Sequence, residues 1–223
     1  KLPDAGRRVG VMASSAQWRK LYDGLYKLYG DCTCPLKHAS PFQLLVAVML
    51  SAQCRDDRVN EVTKELFAVA PDPASMAELP VERIAEIIRT CGLYRNKSEN
   101  LSACAKKLVD EFGGEVPHTM EELTTLPGIG RKSANVVLGD AFKIPGFPVD
   151  THVNRLLNRI GLVDCDDPVK IEAEQNAKVP PELWSNFSHI LIQHGRRVCD
   201  ARKPACDRCT IRPICKRRGV KDK

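Results

Sequence analysis

At 223 residues the chain can hold one large domain or two small ones. It is 43% hydrophobic but only 5% aromatic, so its core must come mainly from Leu, Val, Ile and Ala, which suits packed helices better than a β-sandwich. The net charge of +6 gathers at one end: Arg196 to Lys223 carries eleven Lys or Arg and three Asp, a local +8 on a body near −2, the footprint of a polyanion-binding surface or of a solvated tail.

From the N-terminus, Trp18, Leu21, Leu25 and Leu28 recur at helical spacing and predict one apolar helix face. Ser40 followed by Pro41 is a helix start, a cap with proline in the first turn. The stretch Phe42 to Ala52 is apolar nearly all round and predicts a helix buried at the protein's centre. A second helix is expected over Asp57 to Val69, ended by Pro71 and Pro73. Further helices are expected near 80–89, 95–112, 131–142, 151–160, 168–178 and 182–198, with a short one at Met120 to Thr125. Gly113-Gly114 and Pro145-Gly146 mark connections. Few segments alternate like strands and no internal repeat is evident, so the expected class is all-α.

Leu126-Pro127-Gly128-Ile129-Gly130 leads into Arg131-Lys132-Ser133-Ala134. Pro127 sets a turn, and Gly128 and Gly130 are expected to hold backbone angles closed to other residues. With a short helix before it and a longer one after it, the turn aims free N–H groups forward, a geometry that favours a phosphate. An ordinary helix-turn-helix packing unit is the plainer reading. Lys132 falls in the first turn of the second helix, where the positive helix end and partial burial disfavour an ammonium. That is what a nucleophilic lysine needs, although a phosphate-contacting lysine is also open. Asp150, in Val149-Asp150-Thr151-His152-Val153-Asn154-Arg155, is placed as a helix N-cap.

Ten cysteines occur without an obvious secretory signal, since Lys1 to Gly10 has charges but no apolar stretch. The longest strongly apolar run, Leu44 to Leu50, is far too short for a bilayer. A reducing cytosol is therefore expected, and metal ligation explains clustered thiols there better than disulfides do. Cys199, Cys206, Cys209 and Cys215, separated by six, two and five residues, can bind one tetrahedral ion or a [4Fe–4S] cube. Their spacing does not choose between zinc and iron–sulfur. Arg202 and Lys203, in the loop between the first two, are expected to face outward toward phosphates. Cys32, Cys34, Cys54, Cys91, Cys104 and Cys165 read as separate thiols.

Taken together these segments resemble the endonuclease III superfamily of DNA glycosylases. Leu126 to Val137 is similar to its helix–hairpin–helix, Val149 to Arg155 to its catalytic-aspartate segment, and the four-cysteine spacing to its iron–sulfur loop. Ser51-Ala52-Gln53 and Gly92-Leu93-Tyr94 match two further segments, so the resemblance runs from about Leu21 to Cys215. It implies two helical domains flanking a DNA-binding cleft. A six-helix barrel with the helix–hairpin–helix would span 34–144. A discontinuous domain, 1–33 and 145–223, would carry a [4Fe–4S] cluster on Cys199, Cys206, Cys209 and Cys215. Lys132 and Asp150 are implied as catalytic. Gln53 is implied to fill the space of a flipped nucleotide and Leu93 to wedge the opposite strand. Gly128, Gly130, Arg131, His152, Arg202 and Lys203 are implied DNA contacts. The implied activity is a monomeric DNA glycosylase and abasic-site lyase that removes oxidised pyrimidines, such as thymine glycol, from damaged double-stranded DNA. A non-catalytic DNA-binding module is the alternative, and it leaves Lys132 with Asp150 unexplained. Departures from the family are Cys54-Arg55, where Ala-Thr is frequent, Ser133 in place of Thr, and the basic Arg95.

Overall fold

A computed structural model describes residues 15–220; the charged segment Lys1 to Gly10 and the last basic residues, Lys221 and Lys223, lie outside the described residues. In chain order the helices are α1 (Ser15–Tyr29), α2 (Pro41–Ser51), α3 (Asp56–Val69), α4 (Pro73–Glu78), α5 (Val81–Ile87) and α6 (Tyr94–Phe112). They continue as α7 (Met120–Leu123), α8 (Arg131–Ala141), α9 (Thr151–Ile160), α10 (Pro168–Asn176) and α11 (Trp184–Arg197). No strand occurs among the described residues, so the fold is all-α, as the composition implied. The chain divides into two compact units, one spanning Thr33–Pro148 and the other joining the chain up to Cys32 with the chain from Val149 onward.

The first unit is built around α2. Ser40 accepts the Gln43 N–H at 3.2 Å and Pro41 opens the helix, as the sequence predicts. Phe42 and Leu44 through Leu50 are all buried, with α3, α6 and α8 packed around them. One helix here was not expected. Pro73 does not merely end α3; it is the first residue of α4, whose N-cap Asp72 forms a reciprocal capping box with Ser75. A proline four residues beyond one helix reads as part of its stop and serves equally as the next helix's start.

The second unit packs α1 and α9 on α11. The expected face of α1 is corrected by one residue: Leu28 is 51% exposed, while Tyr22 is buried beside Trp18, Leu21 and Leu25. Those four positions follow the i, i+3, i+4, i+7 spacing of a helical face more closely. Tyr22 meets Phe187 of α11 edge to face, with ring centroids 5.6 Å apart. Because Phe187 is fully enclosed, Phe187→Ala should cost about 3–5 kcal/mol in urea unfolding. Leu28→Ala should stay within about 0.5 kcal/mol of the parent, and a comparable loss at both positions would contradict this packing.

Candidate functional site

The glycine hairpin belongs to the first unit. Thr119 caps α7, and the turn that follows is closed by the Ile129 N–H donating to the Leu126 carbonyl at 3.1 Å. Leu126 and Ile129 are buried and anchor the turn to the core. Gly128 has φ +79, and an added Cβ would lie 3.0 Å from Met49 Cε and 3.2 Å from Asn100 Cβ. Backbone angle and packing both demand glycine there. Gly130 corrects the sequence expectation: its φ of −102 and ψ of 174 are extended backbone that any residue adopts. An added Cβ at Gly130 would meet nothing within 4 Å. What glycine preserves at this position is open space in front of the helix.

Helix α8 starts directly behind that space without a side-chain cap. Its first backbone N–H groups therefore face forward with no acceptor supplied by a capping side chain. Arg131 and Lys132 are exposed in its first turn, so the partial burial expected for Lys132 is not found. The arrangement presents N–H donors and two cations to one approaching group, and an anion fits it.

Two exposed turns share a less ordinary backbone. Gln53 has φ +52 and Leu93 has φ +59, the left-handed region that non-glycine residues adopt at a cost of about 1–3 kcal/mol. Leu93 is 57% exposed, so it is not a core leucine. The sequence places these turns 40 positions apart, yet they touch: a Cβ on Gly92 would come within 3.1 Å of the Gln53 carbonyl oxygen. Beneath them the buried Lys97 donates from Nζ to the Leu50 carbonyl at 2.8 Å, placing a cation at the C-terminal end of α2. Burial holds the Lys97 ammonium below the usual lysine range.

In the second unit, Asp150 caps α9 as its position suggested. Oδ1 accepts the N–H groups of His152 and Val153 at 2.8 and 2.9 Å, so the cap uses one carboxylate oxygen. His152 Nδ1 lies 3.1 Å from Arg155 Nη2, which also donates to the carbonyls of Gly195 and Cys199 at 3.1 and 3.0 Å.

Cys199, Cys206, Cys209 and Cys215 border one cavity, together with Arg159, His194 and Ile211. Arg159, 9% exposed, donates to Cys199 Sγ at 3.3 Å and to the carbonyls of Asp200 and Ala201 at 2.8 and 3.1 Å. His194 is fully buried between Tyr29 Oη, 3.0 Å from Nδ1, and Cys209 Sγ, 3.4 Å from Nε2. Burial pushes His194 down to about 4, which keeps the ring neutral, and raises the Cys209 and Cys215 thiols above the usual range. Among the described residues no three His, Cys, Asp or Glu are grouped to hold a single metal ion. The four cysteines line this one cavity.

Sequence reasoning missed Arg159, Tyr29 and His194. The available signal was Arg155 and Arg159 four apart on one helix, one turn of which cannot avoid the core. Outside the cavity, Asp200 Oδ1 accepts the N–H groups of Arg202 and Lys203 at 2.8 and 2.9 Å, and these bonds hold its carboxyl below the usual range. The loop so fixed leaves both side chains exposed, on a groove shared with Arg212 and Arg217.

Residues 46–181 match the family model described as HhH-GPD superfamily base excision DNA repair protein. The endonuclease III of Synechocystis sp. is 50% identical over 192 residues, covering 86% of this chain and 88% of the relative. The Escherichia coli K12 endonuclease III is 44% identical over 183 residues, covering 82% and 87%. A solved non-covalent complex of an endonuclease III with DNA superposes with a TM-score of 0.88 at 42% identity, covering 92% of this chain and 97% of that one.

The two glycines of the hairpin should separate experimentally. Gly128→Ala should lose more than about 1 kcal/mol of stability in thermal unfolding, because it combines a left-handed φ with two close contacts. Gly130→Ala should be neutral or gain up to about 1 kcal/mol, since extended backbone accepts alanine and the unfolded chain loses freedom. Equal losses at both would show that Gly130 is held by packing after all.

Proposed function

Because this chain belongs to the endonuclease III family of the HhH-GPD base excision DNA repair superfamily, we propose that it excises oxidised pyrimidines from duplex DNA and then nicks the backbone at the same site. The observation that carries the reading is the open, uncapped start of α8 with an exposed Lys132 in its first turn. An endonuclease III with the same fold has been solved as a trapped covalent intermediate with DNA.

The target nucleotide leaves the base stack to be reached. Gln53 fills the vacated space and Leu93 wedges the opposite strand, roles supported by their exposure and by the rigid frame beneath them. The Lys132 amine then bonds to the sugar C1′, the glycosidic bond breaks, and the damaged base departs with a proton. The resulting Schiff base makes the C2′ proton acidic, and its loss expels the 3′ phosphate by β-elimination. Asp150 accepts the lysine proton and stabilises positive charge developing on the sugar. Gly128, Gly130 and Arg131 grip a phosphate, and His152 contacts the DNA backbone. Arg202 and Lys203 meet phosphates from their fixed loop. The protein works as a monomer in the cytosol.

The four-cysteine cavity suits a [4Fe–4S] cluster on Cys199, Cys206, Cys209 and Cys215, since four cysteines bordering one space supply the four thiolates such a group takes, and the family to which the chain belongs supports it. Such a group, when bound, supplies crosslinks that hold the 199–215 loop and no reaction step. Arg159, donating to Cys199 Sγ, offsets negative charge there. Elemental analysis of the purified protein should find iron and acid-labile sulfide; zinc in their place would overturn the cluster assignment.

Single-turnover assays on duplex containing an oxidised thymine test the chemistry. Lys132→Ala should abolish both base release and nicking. Asp150→Asn should slow base release by about 10²–10⁴-fold. The asparagine oxygen can still cap α9, so folding and lesion binding should persist. Wild-type protein that binds the lesion but releases no base would refute the proposal.

A further inference from the structure

Six cysteines lie outside the four-cysteine cavity, and the sequence suggested six separate thiols. Two of them are not separate. Cys91 is buried, Cys54 is half-buried, and the Cys54 side chain acts on the Cys91 thiol, raising it. Each is fixed by its own backbone at the end of a turn. The Cys54 N–H donates to the Ser51 carbonyl at 3.1 Å, and the Cys91 N–H donates to the Ile88 carbonyl at 2.8 Å. The two backbones also meet, at Gly92 against the Gln53 carbonyl. Cys54 directly follows Gln53, and Cys91 precedes Gly92-Leu93. The thiol pair therefore sits at the base of both exposed, left-handed tips.

We propose that Cys54 and Cys91 are a modification site, a reversible disulfide made by hydrogen peroxide that ties the Gln53 turn to the Leu93 turn and weakens their insertion into damaged duplex. The second half rests on the DNA reading given above. Cys54, the more accessible sulfur, attacks one peroxide oxygen; the O–O bond breaks and one water leaves, giving a sulfenic acid. The Cys91 sulfur attacks that sulfur, the S–S bond forms, the S–O bond breaks, and a second water leaves. Two thiols lose two protons and two electrons, and one peroxide becomes two waters. Burial pushes the Cys91 thiol up to about 12, whereas the cations of Lys97 and Arg58 act in the opposite direction and favour its thiolate. Bond closure requires Cβ atoms about 3.5–4.5 Å apart, so it fixes the spacing of two turns whose strained angles leave little slack.

The test uses the full chain as purified, with cluster absorbance followed throughout. After peroxide and thiol blocking, non-reducing peptide mapping should show a Cys54–Cys91 crosslink that dithiothreitol removes. Affinity for a duplex carrying an uncleavable abasic analogue should fall about tenfold on oxidation and recover on reduction, while Cys54→Ser keeps its affinity in peroxide. Cys91→Ala repeats the control should the serine variant be unstable. Absence of the crosslink in folded protein overturns the proposal, and so does a crosslink that leaves affinity unchanged. Reduced wild type without preference for the analogue would instead defeat the DNA reading and the second half with it; the crosslink is then judged by peptide mapping alone.

Discussion

The N-terminus of α8 is a helix end left without a cap. Ser40, Asp72, Thr119, Asp150 and Asp167 each satisfy N–H groups at the start of their own helices, and a comparable cap is worth about 1 kcal/mol. At α8 the cap position is Gly130, where an added Cβ would meet nothing within 4 Å. The helix end is positive, and the exposed Arg131 and Lys132 in its first turn add to that charge. In the proposed function a DNA phosphate is the acceptor at this end. The hairpin before it makes this possible because Gly128, under Met49 and Asn100, fixes the turn from within.

A second constraint works in the same unit. Gln53 and Leu93 keep left-handed angles that their side chains disfavour, and the surrounding structure over-determines them. Lys97 ties α6 to the last turn of α2, and Gly92 lets the two turns close on one another. Strain held by a rigid frame at exposed tips is a recurring property of residues that enter a ligand. The same closeness brings Cys54 against Cys91, so the frame that aims the tips also makes their spacing open to redox chemistry.

Much of this was legible in the residues. The apolar α2, its Ser40-Pro41 start, the cap at Asp150 and the outward Arg202 and Lys203 all follow from local rules that tertiary packing did not override. The failures have physical causes. Pro73 serves two helices at once, so α4 was hidden behind an apparent stop. Tyr22 replaces Leu28 because an aromatic with a polar tip can be buried at a position that pattern alone leaves ambiguous. Gly130 looked like a backbone requirement, yet its angle is ordinary and only its missing side chain matters. Arg159, His194 and the Cys54–Cys91 pair depend on contacts between distant segments, which no local periodicity encodes.

The central claim is that the amine of Lys132 becomes covalently joined to the sugar of the damaged nucleotide. Borohydride reduction during turnover, followed by peptide sequencing of the captured protein–DNA adduct, reads that bond directly. The account predicts one stable adduct, located on Lys132. A stable adduct on another residue, or none while strand cleavage proceeds, would contradict it.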